Sequence, residues 1–246
     1  MEDFSYYVLL SVAAFSGAVV SGLAGFAFSA VAGAILLHLM PPIEAVPLMM
    51  ACSVLVQVAS LLALLRGVQW RRSLVLAGGG LLGIVPAVYL LQHVDTWLFR
   101  IGFGVFVSGY SAYMLLRSAM TRRACAGGSI GSIGEGLVGF GGGLIGGLTA
   151  MPGALPTIWY DMQGIPKGEQ RGLVQPFIVI MQLIALALLW PRLDWPSRML
   201  LDLAASIPAL AVGTAVGVML FGRVNDAAFR RVVLMTLFVS GLALAL

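Results

Sequence analysis

Ser53 and Gln57 in one apolar stretch of this chain, and Gln175 and Gln182 in another, are side chains that hydrocarbon does not accept alone. A buried amide or hydroxyl without a partner is costly, so each must face the protein interior or water. Gln175 lies one helical turn beyond Arg171, which puts both on one helix face. A cation beside an amide donor suits an oxyanion; an interfacial arginine that only fixes topology is the alternative. Two glycine-rich interruptions add a second kind of site, the first supplying Ser21, Gly22, Gly25, Phe26 and Ser29, the second Gly146, Gly147, Thr149, Pro152 and Gly153. Where a helix breaks, the half-helix that follows offers free N–H groups and the positive end of its dipole, and can hold an anion without a charged side chain. Pro152 is suited to the first position of such a half-helix. Small residues three apart also let helices pack closely, as Gly139/Gly143, Gly143/Gly147 and Gly213/Gly217 would, so any single glycine reads first as packing.

Other chemistries find little support. Gly141 to Gly146 fits GxGxxG, but no strand-turn-helix unit or following acid accompanies it, which excludes dinucleotide binding. Cys52 and Cys125 have no metal-ligand spacing, and His38 and His93 have no ligand pattern around them, so no metal and no cofactor is expected. Glu44 and Glu169 each follow a proline by three residues, where an acid offsets a helix dipole. Asp202 is the acid nearest the interior of a span, but its closeness to Trp195 and Arg198 favours an interfacial position over proton coupling. No stretch carries an adjacent nucleophile, base and acid, so an enzyme is not expected.

The elements that position these residues are membrane spans. The 246 residues are 60% hydrophobic and 10% charged, with a mean hydropathy of +1.01, which excludes an ordinary soluble domain. The net charge of +4 comes from short basic clusters between apolar runs, a topology signal and not a nucleic-acid surface. Met1-Glu2-Asp3 lacks the basic start of a cleavable signal peptide, so the first apolar run reads as part of the mature protein. Six stretches have the roughly 20 residues a span needs: Ile43 to Leu65, Ser73 to Leu91, Thr96 to Leu116, Gly172 to Trp190, Met199 to Phe221 and Ala227 to Leu246. Trp70, Trp97, Trp159, Trp190 and Trp195 sit at or beside span ends. Two longer segments, Tyr6 to Leu39 and Ser129 to Tyr160, are broken at Gly22 to Gly25 and at Gly146 to Gly153.

Sliding the chain by 125 positions superimposes Phe15 on Phe140, Gly17 on Gly142, Gly22 on Gly147, Pro41 on Pro166, Glu44 on Glu169 and Gln57 on Gln182. Matched Pro, Glu and Gln in an apolar background point to duplication, with residues 1–121 and 122–246 as two transmembrane repeats. If each long segment crosses once, there are eight spans and the basic residues divide eight inside to six outside. If each enters and leaves on one side, Arg66, Arg71, Arg72, Arg117, Arg122, Arg123, Lys167, Arg171, Arg223, Arg230 and Arg231 are inside, and only Arg100, Arg192 and Arg198 outside. The positive-inside rule favours the second arrangement. The expected fold is therefore all-α and polytopic, with two four-segment repeats, inverted relative to each other as the charges favour, and in each a broken or re-entrant helix pair plus three full spans.

Two blocks carry a family resemblance: Gly22 to Phe28 followed by Pro41 to Val46, and Gly139 to Thr149 followed by Gly164 to Lys167 and Arg171 to Gln175. In their order and spacing the chain resembles the sulfite exporter TauE/SafE family, also called the toluene sulfonate uptake permease family. Members often carry Gly-Gly-Pro after the second break, where this chain has Met151-Pro152-Gly153. The resemblance implies carriage of sulfite, sulfonates, sulfoacetate or related organosulfur anions across a bacterial inner membrane. Together these readings give a secondary carrier working by alternating access, its small anionic substrate held at the midplane between the two broken helices. A passive anion channel and a membrane scaffold for a sulfur-metabolising enzyme are the alternatives. A homodimer, and coupling to protons or another ion, are left open; the lipid bilayer is the remaining partner.

Overall fold

The computed structural model describes residues 2–25, 27–64, 68–119, 131–192 and 197–220, with 234–235, 237–239 and 241–242 near the C-terminus. Phe26, Cys125, Trp195, Arg66, Arg122, Arg123, Arg223, Arg230, Arg231, the boundary at 121/122 and most of the expected span Ala227–Leu246 lie outside the described residues. The chain is an all-α polytopic membrane protein. Its helices are α1 (Glu2–Ala24), α2 (Phe28–Leu39), α3 (Pro42–Leu64), α4 (Trp70–His93), α5 (Thr96–Ala119), α6 (Ser132–Thr149), α7 (Ala154–Met162), α8 (Lys167–Leu189) and α9 (Ser197–Leu220), with a 3₁₀ turn at Trp190–Arg192 after α8. No strand occurs among the described residues. Among the described residues, six helices are long and apolar enough to cross a membrane: α1, α3, α4, α5, α8 and α9. Their outer faces stay apolar, as at Leu74, Leu82 and Tyr89 of α4 and Leu200, Val212 and Met219 of α9, a surface made for lipid.

Both long segments break, at the C-terminal ends of the glycine-rich stretches. Ser21 and Gly22 are still helical in α1, and Gly146, Gly147 and Thr149 are still helical in α6; the interruptions fall at Gly25 and Ala27 and at 150–153. Nor are the arms equal halves. The first arms, α1 and α6, have 23 and 18 residues, against 12 and 9 for α2 and α7. At about 1.5 Å per residue, α1 alone is about 34 Å long.

Directions follow from short connections. Residues 65–69 span at most about 20 Å, too little to recross the bundle, so α3 ends where α4 begins. Gln69 N–H donates to Gly172 O at 3.2 Å and Ser73 Oγ to Leu173 O at 2.8 Å, which brings the start of α8 to the same end, called end A. Helix α3 therefore arrives at end A and α8 leaves from it. These antiparallel helices meet where Gln182 Nε2 donates to Ser53 Oγ at 3.0 Å.

The first turn of α6 is also at end A, because Glu135 pairs with Arg72 of α4 at 2.6 Å. So is the end of α7, where the Tyr160 ring lies 5.4 Å beneath the Arg72 guanidinium. Segment 131–166 thus enters and leaves at end A. At the opposite end B, Tyr6 of α1 donates to Asp202 of α9 at 2.7 Å, and α3 starts two residues after α2. Segment 2–41 therefore enters and leaves at end B. Helices α3 and α8 superpose on the 125-residue offset at both ends, as do the last residues of α1 and α6.

Long arms pack on helices distant in sequence, α6 on α4 and α1 on α9, through glycine seams. A Cβ built on Gly139 or Gly143 of α6 would stand 2.1 Å from the carbonyl oxygen of Leu76 or Gly80 of α4. The backbones approach as closely as small residues allow, and no rotamer change relieves a clash with a carbonyl. We expect Gly143→Val to lower the melting temperature in detergent by roughly 5–10 °C. Gly78→Ala, on the same helix pair with nothing within 4 Å of the added carbon, should leave it unchanged. A melting temperature unaffected by Gly143→Val would show that the seam is looser than described.

Candidate functional site

The first break turns on Gly25, at φ +83°, followed by Ala27 at +70°. The second turns on Ala150, at φ +55°. Left-handed backbone is natural for glycine but costs an alanine on the order of 1 kcal/mol, so surrounding contacts must hold it. In both breaks they do so in the same way. Gly25 N–H donates to Ser21 O at 2.7 Å and Ala150 N–H to Gly146 O at 2.9 Å. The carbonyl of Gly25 accepts from Gln57 Nε2 at 3.0 Å, and that of Ala150 from Gln182 Nε2 at 3.1 Å. Each left-handed residue, each helical acceptor and each glutamine lies 125 positions from its counterpart.

The two breaks also touch, since Ser29 Oγ, in the first turn of α2, donates to Ala150 O at 2.8 Å. Neither short arm has a side-chain cap: Ala27 precedes α2 and Gly153 precedes α7, both uncapped. Two half-helix N-termini, each next to a break, therefore converge inside the bundle.

Among the described residues, a charged side chain bonds the first break and none bonds the second. Arg171, in the second turn of α8, reaches across to the carbonyls of Gly22, at 3.3 Å, and Leu23, so a cation covers the negative end of α1. A Cβ on Gly25 would stand 2.9 Å from Arg171 Nε, which together with the positive φ explains glycine there. One turn further, Gln175 is 1% exposed with neither amide atom paired among the described residues. Ser21 Oγ, one turn before Gly25, is likewise buried without a partner. Gln57 Oε1 and Gln182 Oε1 are buried acceptors with no donor.

Other residues singled out by sequence do different work. Gly22 packs against Gly217 and Thr214 of α9, and its counterpart Gly147 against Ala87 and Ile84 of α4. Gly146 lies against Pro152 of its own hairpin, and Gly153 against Val174 and Ile178 of α8. Thr149 Oγ1 donates back to Ile145 O at 2.8 Å. Ser53 is buried and accepts from Gln182. The described structure thus gathers Ser21, Gly25, Ser29, Ser53, Gln57, Arg171, Gln175 and Gln182 around the breaks, and turns Gly22 and Gly147 toward neighbouring helices. Sequence reading missed Ala27 and Ala150, whose backbone state alanine does not announce; the offset from Gly25 was the one signal for Ala150. Among the described residues no group of three His, Cys, Asp or Glu could hold a metal. The large open cavity of about 450 Å³ lined by Arg71, Arg72, Val75, Ser132 and Glu135 sits at end A, away from the breaks.

An apolar helical bundle with two broken segments meeting in its interior is that of a multi-pass membrane protein. The match is specific: residues 9–244 fit the family model described as Sulfite exporter TauE/SafE, and the chain belongs to that family. It is accordingly a transport protein and not an enzyme. No curated protein and no solved structure matches it.

Because Ser29 and Gln182 serve one carbonyl, their removal should be coupled. Ser29→Ala or Gln182→Leu alone leaves Ala150 O with one donor, whereas the double variant leaves it buried with none. We expect the double variant to lose more thermal stability than the sum of the singles, with a coupling of about 0.5–2 kcal/mol. Strict additivity would mean that the two contacts are not shared.

Proposed function

We propose that the protein is a secondary carrier of a small sulfur oxyanion, sulfite or an organic sulfonate or sulfoacetate-like compound, held where the two breaks meet. The observation that carries this reading is the Ser29 to Ala150 hydrogen bond, which joins the breaks at the middle of the bundle. Backbone that is not helical at membrane depth is tolerated where protein or a cavity satisfies it, and discontinuous helices of this kind supply substrate sites in carriers. The uncapped N-termini of α2 and α7 favour negative charge. Gln175 adds an unspent donor and acceptor, Ser21 a hydroxyl, and Arg171 a positive field. Ser29, Ser53, Gln57 and Gln182 position the breaks, while Gly25, Pro152 and Gly153 keep the backbone turn narrow.

The same reading takes residues 1–121 and 122–246 as inverted repeats. It is supported by the antiparallel run of α3 and α8, and by hairpins entering from opposite ends. Rocking of one repeat against the other would then expose the site alternately to ends A and B. With end A, where Arg71, Arg72 and Arg171 cluster, in the cytoplasm of a bacterial inner membrane, the arrangement obeys the positive-inside rule. No nucleotide-binding motif accompanies the site, so transport draws on an ion gradient or the membrane potential.

Purified protein titrated with sulfite, thiosulfate, alkyl sulfonates and matched carboxylates should bind the sulfur anions. Gln175→Leu should weaken that binding at least about tenfold, roughly 1.4 kcal/mol, without lowering thermal stability, because an unpaired buried amide is removed. Carboxylates binding while every sulfur anion fails would overturn the substrate class, and a lack of counterflow in proteoliposomes would indicate a channel. For orientation, Gly168→Cys in a Cys125→Ser background should be labelled by an impermeant reagent from the cytoplasmic side; labelling from the periplasm would sink the inverted-hairpin topology.

A further inference from the structure

At end B a buried carboxyl group has no cation within salt-bridge distance among the described residues. Asp202 is 4% exposed, in the second turn of α9, well away from the breaks. It lies near the end of the span, as its sequence neighbours indicate, but shielded from solvent. One oxygen, Oδ2, accepts from Tyr6 of α1 at 2.7 Å. The other, Oδ1, is buried with no partner among the described residues. Facing groups come from each helix packed around it: Tyr6 from α1, Cys52 from α3, and Arg198 and Ser206 from α9 itself. Ser206 donates to the Asp202 backbone carbonyl at 2.7 Å and not to the carboxylate. Arg198 is turned over the Tyr6 ring, 5.3 Å from its centroid. No Lys, Arg or His nitrogen lies within 4 Å of the carboxylate among the described residues.

End A provides an internal comparison built from the same residue types. There Glu135 is buried to a similar degree, at 5% exposure, and Arg72 sits over a tyrosine ring, that of Tyr160. The difference is that Arg72 Nε reaches Glu135 Oε1 at 2.6 Å. That acid is compensated as an anion. Asp202 has one hydrogen bond and an orphaned oxygen, and an uncompensated buried carboxylate is strongly disfavoured.

We propose that Asp202 is a proton-binding site linked to the α1–α9 seam, filled when the seam is shut at end B and emptied when it opens. The proton comes from water at end B and binds Oδ1; opening the seam hydrates the carboxyl and returns the proton to that water. High pH at end B therefore favours the open seam and low pH the closed one. This rests on the carrier reading for its consequence, proton-linked transport, though the proton site itself stands on the geometry of Asp202.

The test has two readouts. Infrared spectra of the wild-type protein in lipid nanodiscs should show a protonated carboxylic C=O band that disappears in Asp202→Asn, shifts in Tyr6→Phe and persists in Glu135→Gln. A wild-type spectrum without such a band, or a band unchanged in Asp202→Asn, overturns the proposal whatever the protein transports. If Asp202→Asn does not fold, the Tyr6→Phe shift assigns the band, and its absence overturns the proposal. In proteoliposomes, sulfite counterflow should fall about tenfold as end-B pH drops, and Asp202→Asn should abolish that dependence. An unchanged pH profile in a folded Asp202→Asn protein overturns the link to the seam. Failure of the wild type to carry any sulfur anion would instead count against the carrier reading, with the infrared result still deciding the proton site.

Discussion

Every backbone polar group inside a bilayer must find its partner within the protein, and much of this structure follows from meeting that demand at two places where helices stop. A helix ending at Ala24 or Thr149 leaves its last carbonyls without intrahelical donors. Gln57 and Gln182 reach the left-handed residues after those ends, and Arg171 reaches the carbonyls of Gly22 and Leu23. That requirement accounts for amides in the otherwise apolar α3 and α8, and for why these two helices run side by side through the centre. The breaks can exist because α3 and α8 are there to satisfy them.

The same demand separates what binds from what braces. Amide donors already given to tip carbonyls are not available to a ligand, so Gln57 and Gln182 hold the shape of the site. Gln175 and Ser21 have buried polar atoms not yet used, and a bound oxyanion would use them. Glycine is divided in a similar way. Along α6 and α1 it serves backbone contact with α4 and α9, where a single methyl group would strike a carbonyl or a neighbouring side chain. Each long arm is thus packed against a helix from the opposite half of the chain, so any movement of one half against the other must work at these seams.

Much of this was legible in the sequence because hydrocarbon punishes exceptions. Apolar runs gave the helices, and the 125-residue offset aligned α3 with α8 along their whole length. Charges favoured hairpins that enter and leave at one end. The family came from the order of two glycine blocks. What stayed hidden depends on geometry that residue type does not encode. Alanine at 27 and 150 carries no mark of a positive φ, and within the glycine-rich stretches nothing in the sequence separates Gly22 and Gly147, which serve packing, from the turn that follows them. The unequal arms were missed since hydropathy cannot tell where a continuous apolar segment turns. Nor does the sequence distance from Asp202 to Arg198 and Trp195 say anything of Tyr6, 196 residues away, whose hydroxyl bonds the carboxylate.

The departures from the 125-residue correspondence carry as much information as the correspondence. Where α8 has Arg171 and Gln175, the equivalent positions of α3 are Val46 and Met50; where the first hairpin has Ser21 and Ser29, the second has Gly146 and Ala154. A symmetric frame alone would give two conformations of nearly equal energy and no preference for charge. Polar groups concentrated at one tip give the interior an electrostatic direction, with the positive field of Arg171 nearer end A. The two ends differ in the same sense, Glu135 being paired as an ion and Asp202 not among the described residues. If Asp202 is the proton site proposed above, that difference is where the frame becomes sensitive to the solution on one side of the membrane.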